Sequence, residues 1–240
     1  MTLTADWARQ VIRDHDAARP RSQQTDIGVS ELGHPCARRL VHKIIGTPRS
    51  NPGDPLAAYI GTATHAALAE ALLASDAGWQ VEVPVEFPPP ISLRGNVDAW
   101  HAALGIVLDW KVVGDAALRR VKADGPGRQY QWQVHTYAAA LRAPITTVAI
   151  CFVPRSGRLA NLHLWSEPYD HEIAEAALRR LEQLRTVAAI GHPALAPAVD
   201  SWCSYCPYWQ PGATDLRVAC PGVPPATRPA TIAEHLSGVR

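Results

Sequence analysis

The sequence predicts an α/β domain in which a mixed central sheet is flanked by helices, followed by a cysteine-rich C-terminal tail. Three observations carry that prediction. Apolar residues recur at helical spacing over 54–77, change to strand-like runs over 79–113, and then return to helix, strand pair and helix up to Ile190. The 240 residues, 47% hydrophobic and 19% charged, suffice for one sizeable core and not for two full domains. From Gly191 onward the periodicity yields to Pro, Gly and Trp, and three cysteines arrive close together. Residues 1–190 therefore read as the core and 191–240 as a tail that needs more than apolar packing to hold it.

Taken in order, the N-terminal stretch from Met1 is polar and helical. A helix over 54–77 carries Leu56, Ile60, Ala63, Ala67, Leu68 and Leu72 on its apolar side and stops at Gly78, a C-terminal cap. Strands follow over 79–87, 91–100 and 105–113, separated by Pro88-Pro89-Pro90 and by a connection around Ala102 to Leu104, which makes an antiparallel meander. A helix over 128–142 precedes strands over 145–154 and 159–165, split by a turn at Ser156-Gly157, and the run 170–190 is helical again. The sequence contains neither an internal repeat nor a low-complexity tract.

Charge excludes a global electrostatic role. Lys+Arg number 23 against 22 Asp+Glu, a net charge of +1, so any nucleic-acid surface must be local. Apolar stretches are interrupted within a few residues and the N-terminus lacks a charged start followed by an apolar run, which predicts a cytoplasmic chain without a membrane span. In a reducing compartment, five cysteines point to metal ligation and not to disulfides. Basic residues are almost all arginine; the lysines are Lys43, Lys111 and Lys122.

Lys111 lies in Ile106-Val107-Leu108-Asp109-Trp110-Lys111-Val112-Val113, an apolar strand in which Asp109 and Lys111, two apart, share one face. A turn centred between Ala103 and Leu104 sets Asp98 opposite Asp109, with Cβ atoms about 4.5–5.5 Å apart. Facing carboxylates repel, and a divalent cation between them removes the conflict. Oxygen ligands suit Mg2+ or Mn2+, and such an ion assists in-line attack of water on a phosphodiester, with Lys111 placed to assist proton removal or stabilise developing charge. An Asp-x-Lys pair alone more often sits on a solvated sheet face, but this strand has no alternating polar face to explain it. His65, on the helix before the meander, would add an imidazole and favour Mn2+. Gln133 and Tyr137, four apart on the helix after it, share a face from which an amide and a phenol can position a nucleophile or a phosphate.

In combination, GTATH, GNVDAW, IVLDWK and QVHTY resemble the motifs of the RecB-like branch of the PD-(D/E)XK nuclease superfamily, with its restriction-endonuclease-like core. Cys36 in SELGHPCARRL, Cys203 and Cys206 in WCSYCPYW, and Cys220 in VACPG resemble the iron-sulfur subgroup, which includes the CRISPR-associated RecB-like exonucleases, bacteriophage relatives and AddB-type nuclease domains. The resemblance runs from about Ser30 to Cys220. It implies that His65, Asp98, Asp109 and the Val112 carbonyl hold Mn2+ or Mg2+, that Lys111 is the catalytic lysine, and that Gln133 and Tyr137 complete the site. The implied activity is a metal-dependent DNA exonuclease, acting on single strands or free ends, with a helicase or another recombination protein as a family-type partner. The alternative is a non-catalytic DNA-binding or recombination-complex subunit with a structural metal site.

Cys203 and Cys206 form a CxxC unit whose two thiolates can reach one centre, and Cys220 and Cys36 complete a set of four. Such a centre would staple the tail to the N-terminal region. Spacing leaves Zn2+ and a [4Fe-4S] cluster both open; the preference for the cluster comes from the resemblance, from which the long interval between Cys206 and Cys220 departs. Cys151, within an apolar strand, reads as a small buried hydrophobe. Three basic groups, Arg38 with Arg39 and Lys43, Arg119 with Arg120 and Lys122, and Arg155 with Arg158, would give a phosphate track if they rim the acidic site, and Trp110 or Trp132 could stack on unpaired bases.

Overall fold

The computed structural model of the chain describes residues 4–19, 24–51 and 53–223. Helices α1 (Ala5–Ala17), α2 (Ala37–Ile44) and α3 (Leu56–Ala74) precede strands β1 (Gln80–Phe87), β2 (Leu93–His101) and β3 (Ile106–Val113). Then come α4 (Asp115–Asp124), α5 (Arg128–Leu141), β4 (Thr147–Pro154), β5 (His163–Pro168) and α6 (His171–Ile190). The sheet order is β1-β2-β3-β4-β5. β1, β2 and β3 pair antiparallel, β3 and β4 parallel, and β4 and β5 antiparallel. Parallel neighbours need a long crossover, and α4 with α5 supplies it. The expected α/β architecture with a mixed sheet between helices is thus observed.

The two faces of the sheet are covered unequally. Val107, Val113, Val148, Ile150 and Phe152 meet Val134 of α5 and Leu181 of α6 in the main core. On the other face, Ala99, Leu108, Ala149 and Cys151 form a smaller cluster with Leu72 of α3 at its edge. Cys151 is the buried hydrophobe its strand suggested. α3 has no buried residue and, by length and composition alone, is apolar enough to cross a membrane, a feature the interrupted apolar pattern did not lead one to expect. Its alanines make the average apolar although Thr62, Thr64 and His65 interrupt the run. It lies along the sheet, in contact with β1, β2 and β3.

Several element boundaries differ from expectation for local reasons. α3 is capped at Ser75, not Gly78; Gly78, at φ 79°, instead brings the chain past the His101 ring into β1. α4 was not expected, because only Leu118 and Val121 of it are buried and the pattern is too sparse to read. β5 begins at His163, since Leu159–Asn161 forms a single 3₁₀ turn. α6 has the expected start and stop: Asp170 accepts from the Glu172 N–H, and Gly191 ends the helix in the left-handed region.

The tail returns to the front of the chain. Pro207 accepts from the N–H groups of Ser50 and Asn51, and Arg38 donates to the carbonyls of Ala196 and Gly222. A parallel bridge joins Trp209 to Cys220. The part of the expected tail beyond Val223 lies outside the described residues. The loop before α2 in turn touches α5 directly, since a Cβ on Gly33 would come within 2.3 Å of the Gln129 Cα. Gln129 also donates to the Ser30 carbonyl at 2.9 Å.

Candidate active site

The β2–β3 hairpin sets the site. Its register pairs Ala99 with Leu108, Trp100 with Val107 and His101 with Ile106, which is the turn position expected from sequence. The ladder described does not continue to Asp98 and Asp109, where two carboxylates would face each other across it. Instead Asp98 Oδ2 accepts the Trp110 N–H at 2.8 Å, so a side chain replaces the backbone partner just where the strands part. Asp98 also faces His65 of α3, with Nδ1 to Oδ2 at 3.4 Å.

On β3, Asp109 is 1% exposed and forms an ion pair through Oδ2 with Lys111. Gln133 of α5 donates to Asp109 Oδ1 at 2.7 Å and reaches the Tyr137 hydroxyl at 3.5 Å. Asp109 Oδ2 is buried, and its partner is the Lys111 ammonium. The Lys111 ammonium also lies over the Tyr130 ring, 5.5 Å from its centroid. The Tyr137 ring fits because Gly95 has no Cβ, which would stand 2.7 Å from Tyr137 Cε1.

The two carboxylates are driven apart electrostatically. Burial raises the Asp109 carboxyl to about 6, with Asp98 adding to the rise and the Lys111 ammonium opposing it. Burial pushes Asp98 up as well. There the His65 hydrogen bond, the Lys111 charge and the Trp110 N–H together outweigh it and hold the group below its ordinary value. One acid is therefore ionised well into the acidic range, while the other needs a cation to stay ionised when dry.

One residue of the site was missed in the sequence. The ligand atoms of His65, Glu82 and Asp98 lie within 4.8 Å of one another, a spacing that could hold a metal ion. Glu82 sits in β1 at φ 49°, between the pairs Val81–Ala99 and Val83–Val97, so it stands across from Asp98. Writing out the β1–β2 register would have found it. Of the expected residues, His65, Asp98, Asp109, Lys111, Gln133 and Tyr137 converge. Val112 lies beside them on β3, paired with Val153, and its side chain takes the opposite face from Lys111.

The four cysteines of the expected set also converge, away from the carboxylates. Cys36, Cys203, Cys206 and Cys220 line one cavity with His34, Arg39, His42 and Trp202, and none is in a disulfide. Cys206 donates its N–H to the Cys203 carbonyl, closing the CxxC turn, and the Trp209–Cys220 bridge bridges the long interval. Burial pushes the Cys203 and Cys206 thiols up, and neighbouring cysteines add to the effect. The first basic group is spent on this part of the fold: Arg39 reaches His34 Nε2 at 3.2 Å and Lys43 pairs with Glu31 at 2.6 Å. Trp132 is held between the guanidinium groups of Arg128 and Arg180, at 5.0 and 5.8 Å from its ring centroid. Trp110 is half-buried, with its indole nitrogen unpartnered.

Residues 63–210, which span the site from His65 through the CxxC unit, match the PD-(D/E)XK nuclease superfamily. The chain belongs to that superfamily. PD-(D/E)XK nucleases use divalent metals, and the carboxylate pair with its adjoining lysine fits that chemistry in its donor set. Among solved structures, SSO0001 superposes with a TM-score of 0.53 at 16% identity, covering 86% of this chain and 95% of that one. The alkaline exonuclease LHK-Exo from Laribacter hongkongensis gives 0.52 at 13% identity, covering 71% and 91%. Its complex with dAMP gives 0.53 at 12% identity, covering 70% and 90%. At these identities the likeness is one of PD-(D/E)XK fold. No curated protein matches the sequence.

Proposed function

We propose that this PD-(D/E)XK chain is a Mn2+- or Mg2+-dependent DNA exonuclease that hydrolyses phosphodiester bonds, acting on single-stranded ends in the cytoplasm. The observation that carries the reading is the buried Asp109 carboxylate, ion-paired with Lys111, held by Gln133 and set beside Asp98. The metal would be held by His65, Asp98, Asp109 and the Val112 carbonyl, with Glu82 as a further oxygen donor near Asp98. When bound, it would supply Lewis-acid polarisation of the scissile phosphate. Lys111, an ammonium beside Asp109, balances the negative charge that develops on the phosphoryl oxygens. Gln133 fixes the Asp109 carboxylate in one orientation, and Tyr137 fixes Gln133. The resemblance of the fold to an alkaline exonuclease supports attack at ends.

The test uses end-labelled linear and closed circular single-stranded DNA, with Mn2+, Mg2+ or chelator. Loss of the linear substrate alone, dependent on metal, is expected. Cutting of the circle would make the enzyme an endonuclease, and survival of both substrates would remove the catalytic reading.

The cysteine centre is, in this reading, a structural [4Fe-4S] cluster that closes the 191–240 tail onto Cys36. Four free, largely buried thiols lining one cavity suit a thiolate-held metal group. A four-thiolate zinc site is the alternative occupant of the same cavity. Anaerobically purified protein is expected to carry iron and acid-labile sulfide with visible absorbance. The substitution Cys206→Ser should abolish that absorbance and lower Tm. Stoichiometric zinc without iron would replace the cluster reading by the zinc one.

A further inference from the structure

The turn between β4 and β5 bears a groove of about 260 Å3 lined by Val153, Leu159 and Leu162 together with Arg155 and Arg158. We propose that this groove seats a single-stranded polynucleotide segment at the C-terminal end of β4, with phosphates on the two arginines and unpaired bases against the leucines. The inference rests on the nuclease reading above and adds the path of the strand.

Register places the groove. β3 and β4 run parallel with Asp109 beside Ile150, Lys111 beside Phe152 and Val112 beside Val153, and the Arg155 N–H donates to the Val113 carbonyl at 2.8 Å. Val153 and Leu162 pack with Leu108 and Trp110 on the α3 face of the sheet, so the groove opens on that face, whereas Asp109 and Lys111 face α5. Arg155 follows directly on Pro154, the last residue of β4, three residues and about 10 Å beyond Phe152 along the chain. α4 leaves the end of β3 at the same edge and exposes Arg119, Arg120 and Lys122, so positive charge continues there.

Charge and surface chemistry choose the occupant. Exposed Arg94, Arg179 and Arg217 each pair with a carboxylate, at 3.2, 3.1 and 2.9 Å. Arg155 and Arg158 are exposed as well, and among the described residues neither guanidinium has an ion-pair partner. Leu159 is 83% exposed between them and the half-buried Leu162. A small anion would use the arginines and leave the leucines wet. A duplex presents phosphates but keeps its base faces stacked inside; an unpaired strand offers phosphates and apolar base faces together.

The test is binding of a fluorescent single-stranded oligonucleotide in chelator, across a salt series, to wild type, to Arg155→Ala with Arg158→Ala, and to Leu159→Ser. Wild-type cleavage with Mn2+ is measured alongside. Losing two phosphate contacts should make the slope of log K against log salt shallower by about 1.4. Leu159→Ser should weaken binding with the slope unchanged. An unchanged slope and affinity in the arginine variant, with wild-type cleavage intact, would overturn the groove and leave the nuclease reading standing. Absence of wild-type cleavage alongside the expected slope change would sink the nuclease reading and keep the groove as a binding surface. Equal loss for a duplex of the same length, or displacement of the strand by poly-glutamate at equal charge, would also overturn the proposed occupant.

Discussion

Replacing Lys111 by alanine is expected to slow DNA cleavage by about 100- to 10,000-fold at saturating metal, the usual worth of a positioned proton-transfer or charge-stabilising group. The side chain is 17% exposed, beside an Asp109 side chain that is 2% exposed. Its removal therefore costs both the cation at the phosphate and the cation that keeps Asp109 ionised. Lys111→Arg separates the two effects: it keeps the charge beside Asp109 and should restore metal binding, but it restores little rate because the broad, planar guanidinium does not replace the compact point charge of the ammonium. Single-turnover cleavage with metal binding measured in parallel checks this. Full activity in Lys111→Ala would exclude the assigned role.

Asp109→Asn should abolish cleavage and also change how stability depends on pH. The folded-state carboxyl lies near 6, above its ordinary 3.8, because burial penalises the charged form. Between these values the folded chain binds more protons at this group than the unfolded chain does. This contribution is therefore fully present below about 4, shrinks as pH rises, and is gone above about 6. In chelator, wild-type stability should fall relative to Asp109→Asn across that window, by an amount on the order of 3 kcal/mol. Added metal needs the ionised carboxylate, so its affinity should rise with pH through the same range. Thermal melts of both proteins at acid and neutral pH report the difference. Parallel pH profiles would show that Asp109 carries no such strain.

Much of the site was legible because strands have a period of two and turns fix register. Counting back from a turn at Ala103 and Leu104 placed Asp98 across from Asp109, and the ladder has that register. What the count could not give is that the ladder stops there, with Asp98 capping the Trp110 N–H. Glu82 escaped notice because alternate residues of β1 are exposed, so a glutamate there reads as part of a solvated face. Only the β1–β2 register, which sets it across from Asp98, brings it near His65 and Asp98.

Periodicity overstated α3 and missed α4 for opposite reasons. α3 is apolar on average but lies over the sheet with no residue buried, whereas α4 contributes only Leu118 and Val121 to the core. Local charge was equally deceptive around Cys36. Arg38, Arg39 and Lys43 read as surface cations, but they bind backbone carbonyls of the tail, His34 and Glu31. Those contacts span more than 150 residues for Arg38, a separation that spacing in the sequence does not encode. Arg155 and Arg158, read from the sequence as part of the same phosphate track, are by contrast exposed and without an ion-pair partner among the described residues.

The most direct measurement is titration of Mn2+ into the metal-free chain near neutral pH, wild type beside Asp98→Ala, followed by calorimetry or by the resonance of the free ion. Asp98 stands between the two halves of the site, facing His65 on one side and influenced by Lys111 on the other. The account predicts saturable binding to wild type and a loss of affinity of more than about tenfold in the variant. Equal binding to both proteins would contradict it, since the metal would then sit elsewhere than between these carboxylates.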